Sequence, residues 1–255
     1  MTVLFKYKDL IIYKAGADLR SEARRFYISY LWWIIEPILD MIVYYLVFAV
    51  LLNRGTPDYV PFLLIGITFW KWFGSSIIHA SNSIIQGKGL MLQVYLPKSV
   101  FPSIVILTDT FKFGIIFAIL IGYLWLYGFK PGQTYFYLPL LLGVEFLLIV
   151  AFAFFTAAIT PFFPDLTIVI QHVLQIMFFV SGIFFDLDSL NPELQFWLNF
   201  NPMALLISAF RGILMYNTAP DIQGALLIAA GSLVVIGLSC ALMRKFDKAY
   251  PRMVS

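Results

Sequence analysis

The stretch FYLPLLLGVEFLLIVAFAFFTAAIT, residues 136–160, contains a single charged residue, Glu145. A helix that crosses a lipid bilayer needs about 20 predominantly apolar residues, so this stretch predicts a transmembrane helix. Further stretches of the same character cover residues 30–52, 60–84, 101–127, 167–185 and 222–243. Little sequence is left over for a soluble domain. We therefore expect an all-α polytopic membrane protein with six transmembrane helices.

The composition excludes an ordinary soluble protein. Hydrophobic residues make up 61% of the chain and charged residues 12%, against about 25% charged residues in a typical soluble domain. The mean hydropathy is +0.88. A soluble core of this size could not bury so much apolar surface, so lipid is the expected solvent for much of it. The single cysteine, Cys240, excludes an intrachain disulfide bond.

The distribution of basic residues predicts the orientation. Lys and Arg are enriched in cytoplasmic connections. In a six-helix arrangement, twelve of them fall on the side of both termini and three on the other side, so we expect both termini in the cytoplasm. The single predicted domain, residues 1–255, consists of a cytoplasmic interface helix (1–29), helices 1–5 (30–185), an external re-entrant region (186–221), helix 6 (222–243) and a cytoplasmic tail (244–255).

Two cytoplasmic segments are not expected to span. Residues 1–29 mix apolar and basic residues and predict an amphipathic helix in the membrane interface, with a loose basic tail as the alternative. The connection at residues 81–102 contains a short apolar piece, residues 90–94. Either a partner protein or the membrane interface must cover that piece.

The external region between helices 5 and 6 is longer than an ordinary helix connection. Its apolar stretch Pro202–Tyr216 is too short to span, which is typical of a re-entrant helix. Asn191 and Asn201 each precede a proline, and this pairing favours a helix start. The sequence thus predicts two short re-entrant helices on the outer side.

Six charged residues fall within the predicted helices, where charge is costly unless it has a partner or meets water. Depth counting at about 1.5 Å per residue puts Asp40 and Lys71 near the bilayer midplane, so we expect them to pair. Glu145 could meet Lys112. The whole set either forms structural ion pairs or serves as the proton relay of a gradient-driven carrier. Its members are Glu36, Asp40, Lys71, Asp109, Lys112 and Glu145.

Aromatic residues are abundant, with 26 Phe, 14 Tyr and 6 Trp, and several cluster within helices 1, 2 and 5. Aromatic faces offer broad apolar contact that suits sugar rings sliding along a path; packing in the core is the alternative. The candidate lining residues are Tyr30, Trp32, Trp33, Phe69, Trp70, Trp72, Phe73, Phe178, Phe179, Phe184 and Phe185.

No motif for catalysis or metal binding is present. There is no phosphate-binding loop of the GxxxxGK[ST] type and no GxSxG motif. His79 and His172 lack the neighbours of a metal site, and we interpret both as polar packing residues. We expect no catalytic residue, no metal site and no nucleic-acid partner. Energy for transport must come from a gradient or from another subunit.

The chain resembles the membrane subunits of ABC-2 class polysaccharide exporters, above all the O-antigen exporter permeases, with capsule and teichoic-acid permeases as near relatives. The resemblance covers essentially the whole chain and depends on the order and spacing of its motifs. They are RRFYISYLWWIIEPILDMIVYYLVF (24–48), GITFWKWF (66–73), VYLPKSVFP (94–102) and NPMALLISAFR (201–211).

The resemblance implies a second copy of the chain and two ATP-binding subunits, which would hold ATP and Mg. It implies a location in the bacterial inner membrane and passage of a lipid-linked polysaccharide through a channel lined by helices 1, 2 and 5, in contact with membrane lipids. It also implies a coupling helix that docks on the ATP-binding subunit. The candidate docking residues are Asn82, Ile84, Ile85, Leu90, Met91 and Leu92.

Two other functions stay open. One is an ABC-2 permease for a small lipid or drug. The other is a gradient-driven carrier or a membrane enzyme that acts on lipids. Neighbouring genes for an ATPase and for sugar transferases would separate the three.

Overall fold

A computed structural model describes residues 7–25, 29–52 and 58–253. Throughout these residues the regular structure is helical. The principal helices are α1 (Lys8–Arg25), α2 (Ser29–Tyr45, continued as a π-helix over Leu46–Leu51), α3 (Tyr59–Ser81), α4 (Ser83–Gln86), α5 (Lys88–Gln93), α6 (Val100–Tyr127), α7 (Leu138–Ile159), α8 (Leu166–Val180), α9 (Pro192–Leu198), α10 (Pro202–Arg211, continued as a π-helix over Gly212–Tyr216), α11 (Ile222–Lys245) and α12 (Tyr250–Met253).

The all-α polytopic fold is confirmed. Within the described residues, five helical stretches are long and apolar enough to cross a membrane: Leu31–Leu51, Tyr59–Ser81, Val100–Tyr127, Gln133–Ile159 and Ile222–Lys245. The count becomes six if α9 and α10, which meet at a bend of 105°, are taken together as one broken span.

The fifth predicted span is shorter than the sequence suggests. The prediction covers residues 167–185, but α8 ends at Val180 after 15 residues. At about 1.5 Å per residue this helix is about 22 Å long, less than the hydrocarbon thickness of about 30 Å. Gly182 stops the helix because it adopts φ +69°, a left-handed conformation that favours glycine.

Helix α3 is the centre of the bundle. It contacts α2, α6, α7, α8 and α10. Of the residues in its apolar 18-residue stretch, 78% are buried. The corresponding shares are 6% for α2 and 17% for α11. A helix packed on all sides lies in the interior, whereas α2 and α11 line the outside of the single chain.

The two short helices between α8 and α11 begin as predicted. The Asn191 side chain accepts a hydrogen bond from the backbone N–H of Leu194, and the Asn201 side chain accepts from Met203 and Ala204. Each asparagine therefore caps the unpaired N–H groups of a helix whose first residue is proline.

Helix α1 lies against the start of α6. Ile11 and Ala15 are buried together with Val100 and Ile104, and this contact orients the apolar face of α1 toward the bundle. The predicted bounds 1–29 extend into residues outside the described ranges. We call this end of the bundle, which also carries α4, α5 and α12, the proximal end, and the opposite end, which carries α9, the distal end.

Candidate functional site

Lys71 on α3 joins the two carboxylates of α2. Its Nζ lies 2.8 Å from Glu36 Oε1 and 2.7 Å from Asp40 Oδ2. The ion pair expected between Asp40 and Lys71 is therefore present, and Glu36 reaches the same ammonium because it precedes Asp40 by one helical turn. Glu36 is 59% exposed. Since charge facing hydrocarbon is costly, this side of α2 is expected to face water or another protein.

A second charged group lies one layer nearer the proximal end. Lys112 on α6 pairs with Glu22 of α1 at 2.6 Å and with Asp109 at 3.6 Å. Asp109 in turn lies 2.9 Å from Nδ1 of His79. The indole N–H of Trp33 donates to Glu22 at 3.2 Å. This group ties α1 to α2, α3 and α6.

Both groups line one cavity of about 250 Å³, which also includes Thr68, Trp72 and Ser75. Three carboxylates (those of Glu22, Glu36 and Asp109), two lysines and one histidine line it. Glu22 and His79 were not predicted as members of a charged site. The pairing of Trp33 and Lys112 with Glu22 needs the fold-back of α1 onto α6, which no single-helix pattern predicts.

Most candidate aromatic residues pack inside the chain. Trp33, Phe69, Trp70, Trp72, Phe73 and Phe184 are buried. Phe69 stacks on Phe210 with ring centroids 3.7 Å apart, and Trp72 stacks on Phe113 at 4.0 Å. These contacts favour the packing alternative for the buried six.

The remaining candidates differ in position. Trp32 and Phe179 are 50% and 47% exposed, while Phe178 and Phe185 are half-buried. The backbone of Tyr30 lies in α2, and its side chain is outside the described residues. A role in lining a path stays a prediction, and Trp32 and Phe179 are the members best placed for it.

The predicted coupling segment, residues 82–93, forms α4 and α5 with a break at Gly87. The Phe101 ring lies so close to Gly87 that a Cβ would collide with it. Ile84 and Met91 are buried within the chain, and Asn82, Ile85 and Leu90 are partly buried. The side chain of Leu92 lies outside the described residues.

The exposed apolar residues of this region come directly after the predicted segment. Val94 is 55% exposed and Tyr95 is 70% exposed. A docking surface at this end would therefore include them, whereas Ile84 and Met91 face the core of their own chain.

Comparison with known proteins decides the family. The sequence profile of the ABC-2 type transporter family matches residues 17–215, a range that begins in α1 and ends in the π-helix that continues α10.

The chain belongs to the ABC-2 type transporter family.

This ABC-2 chain is similar to several curated proteins over nearly its whole length. It is 26% identical over 235 residues to the O-antigen export system permease protein RfbA of Myxococcus xanthus, covering 91% of this chain and 90% of that protein. It is 24% identical over 246 residues to RfbA of Klebsiella pneumoniae, covering 94% and 95%. The polysialic acid transport protein KpsM of Escherichia coli is 24% identical over 238 residues, covering 91% of each.

One predicted contact of the ABC-2 chain is wrong. Glu145 on α7 does not meet Lys112, whose ammonium is taken by Glu22 and Asp109. Glu145 is fully buried, and its two carboxylate oxygens have no hydrogen-bond partner among the described residues. An ionised carboxylate would be costly there, so the site favours the neutral acid.

The distal end of the ABC-2 chain carries an aromatic group that was not singled out from the sequence. Phe196, Trp197 and Phe200 on and after α9 are 59–70% exposed, and their ring centroids lie 5.3–6.4 Å apart. An exposed Trp beside an apolar helix is typical of the membrane–water boundary. The adjacent pair Phe196–Trp197 is the signal that could have found this group.

Proposed function

We propose that this chain is the membrane-spanning subunit of an ATP-driven exporter that moves a lipid-linked polysaccharide of the O-antigen type across the bacterial inner membrane. The observation that carries the proposal is similarity over at least 91% of the chain to permeases named for O-antigen export and polysialic acid transport. A match of this extent covers nearly the whole chain and is not limited to one shared motif.

The energy is proposed to come from two ATP-binding subunits, because the sequence holds no phosphate-binding loop of its own. Those subunits would bind ATP and Mg, and the chain itself would not be an enzyme. The coupling segment at residues 82–93 and the exposed Val94 and Tyr95 would form the docking surface. This position at the proximal end agrees with a cytoplasmic partner.

The path is proposed to lie between two copies of the chain. Helix α2 supports this, because only 6% of the residues in its apolar 18-residue stretch are buried within one copy. The same helix carries the charged residues Glu36 and Asp40. A second copy enclosing water against this face would let the carboxylates stay hydrated, which lipid alone would not. Lipids would cover the rest of the apolar surface.

The proposed orientation places both termini in the cytoplasm. Its structural support is that α1 and α12 lie at the same end of the bundle as the coupling segment. The excess of Lys and Arg belongs to the same end.

The experiment that tests the proposal is purification of the tagged chain from its native membrane in a mild detergent. We expect a stoichiometric ATP-binding protein to co-purify, and deletion of the gene for this chain to remove polysaccharide from the cell surface. A folded chain that transports without ATP or a partner would overturn the proposal in favour of a gradient-driven carrier. Retained surface polysaccharide with loss of another exported compound would favour a permease for a small lipid or drug.

A further inference from the structure

The C-terminal tail folds back onto the proximal end of the bundle. After α11 ends at Lys245, the rings of Phe246 and Tyr250 both contact the ring of Phe162, with centroids 5.3 and 5.1 Å apart. Tyr250 is fully buried, and its hydroxyl donates to the backbone carbonyl of Ala158 at 2.9 Å. Burial raises the pKa of Tyr250 to about 12, which is in the direction expected for a hydroxyl held away from water. The tail is therefore attached to the end of α7 and to the connection between α7 and α8.

The same tail holds the loop that follows the coupling segment. Asp247 accepts a hydrogen bond from the Tyr95 hydroxyl at 2.5 Å through Oδ2, and its Oδ1 lies 3.8 Å from Nζ of Lys98. Lys98 is buried, and burial lowers the pKa of its ammonium. The negative charge of Asp247 opposes this shift but does not cancel it. Helix α12 also contacts α5 directly. One carboxylate thus binds the loop at two points.

The other end of the coupling segment is attached to α8 without the tail. The hydroxyl of Thr167, in the first turn of α8, donates to Oδ1 of Asn82 at 3.2 Å. The coupling segment is therefore attached to this part of the bundle at both of its ends. Asn82 bonds to the first turn of α8 directly. The Tyr95–Asp247 bond leads, through the tail, to Phe162 in the connection between α7 and α8.

We propose that residues 246–253 act as a strut between the coupling segment and the α7–α8 connection, with Asp247 as the positioning residue. The proposal rests on the function proposed above. When an ATP-binding subunit displaces the coupling segment, the strut carries the displacement to the start of α8. Without the bonds to Asp247, the loop at residues 94–99 would yield instead, and ATP hydrolysis would move the membrane helices less.

The test compares polymer export with ATP hydrolysis in variants of the full complex. Polysaccharide on intact cells is oxidised with periodate and labelled with a hydrazide dye, and ATP hydrolysis is measured on the complex purified from the same cells. The variants are Asp247→Ala and Tyr95→Phe. The second removes only the hydroxyl oxygen that binds Asp247. The matched control is Lys248→Ala, because Lys248 is the exposed neighbour of Asp247.

We expect Tyr95→Phe to lower export per ATP hydrolysed by about fivefold, the effect of losing one hydrogen bond in the moving element. Asp247→Ala also removes the ion pair with Lys98 and should lower the ratio by at least as much. Lys248→Ala should leave the ratio at the wild-type value. An unchanged ratio in Asp247→Ala and Tyr95→Phe, with the complex intact, would overturn the strut. If Asp247→Ala prevents assembly, Tyr95→Phe decides the question.

The two proposals fail differently in this experiment. If no ATP-binding subunit co-purifies with the wild-type chain, the proposed function fails, and the strut fails with it. If the wild-type complex forms and couples normally, and export per ATP hydrolysed is the same in Asp247→Ala, Tyr95→Phe and the wild type, only the strut fails.

Discussion

Arg211 and Phe62 are joined by two hydrogen bonds, because Nε and Nη2 of the arginine donate to the same backbone carbonyl at 3.2 and 3.1 Å. The guanidinium also lies over the Phe62 ring, 3.3 Å from its centroid. Nη1 and Nη2 donate further to the carbonyls of Gly182 and Ile183, at 2.6 and 2.8 Å. Arg211 thereby attaches α10 to α3 and satisfies the carbonyls freed where α8 ends.

Replacing Arg211 by lysine should destabilise the fold although the charge is kept. A single ammonium cannot donate to three carbonyls in the fork geometry of a guanidinium, and we expect the free energy of unfolding to fall by about 3 kcal/mol. The measurement is the midpoint of thermal unfolding in detergent. Arg244→Lys, at an exposed site near the end of α11, is the matched control. Equal midpoints for both variants would contradict the role assigned to Arg211.

Gly66→Ala should also lower the unfolding midpoint. A Cβ at Gly66 would lie 2.7 Å from Nη2 of Arg211 and 3.3 Å from Cγ2 of Ile183, so it would displace the guanidinium from its carbonyls. The control is Gly114→Ala on α6, where a Cβ meets nothing within 4 Å. There the gain in helix propensity should leave the protein as stable or more stable. Destabilisation at Gly114 and none at Gly66 would refute the packing described.

Glu145→Gln should be tolerated within about 0.5 kcal/mol, because a neutral amide replaces a carboxyl group that has no partner to lose. The comparison is Asp109→Asn, which removes the partner of His79 and one partner of Lys112. We expect Asp109→Asn to lower the unfolding midpoint clearly. A larger loss for Glu145→Gln than for Asp109→Asn would mean that Glu145 is charged and paired in the assembled transporter.

Glu36 and Asp40 should prove redundant for stability. Either carboxylate alone can neutralise Lys71, so Glu36→Gln and Asp40→Asn should each cost about 1 kcal/mol or less. The double variant leaves an unpaired ammonium in the membrane and should cost about 3 kcal/mol or more. The check is a double-mutant cycle on thermal unfolding, in which additive losses would show that the two carboxylates act independently.

The same variants separate ion pairing from a proton relay. If Asp40 only pairs with Lys71, polysaccharide export by the wild type and by Asp40→Asn should be insensitive to collapse of the proton gradient while ATP is held constant. Wild-type export that stops with the gradient, from a folded complex, would favour the relay.

The sequence predicted what depends on local pattern. Apolar length was enough for the long helices, the Asn–Pro pairs marked the starts of α9 and α10, and depth counting found Asp40 and Lys71. The end of α8 at Val180 was missed because it depends on Gly182 and on carbonyls that Arg211 satisfies from a distant helix.

The candidate site was less predictable because it depends on which face each helix turns toward its neighbours. Trp72 and Phe73 are adjacent to Lys71 in sequence, yet both rings pack inward while the ammonium reaches α2. Lys112 was expected to meet Glu145 because both lie in predicted spans. Its partner is Glu22 on α1, which the sequence placed in a separate interface helix.

The sharing of one ammonium by two carboxylates affects how the chain enters the membrane during synthesis. Helix α2 leaves the ribosome before α3 and carries Glu36 and Asp40. An acidic residue at the centre of a membrane helix opposes insertion by about 2.5–3.5 kcal/mol. That opposition falls only when α3 arrives with Lys71. The two helices are therefore a natural unit of insertion, and the translocation machinery must hold the first until the second has emerged.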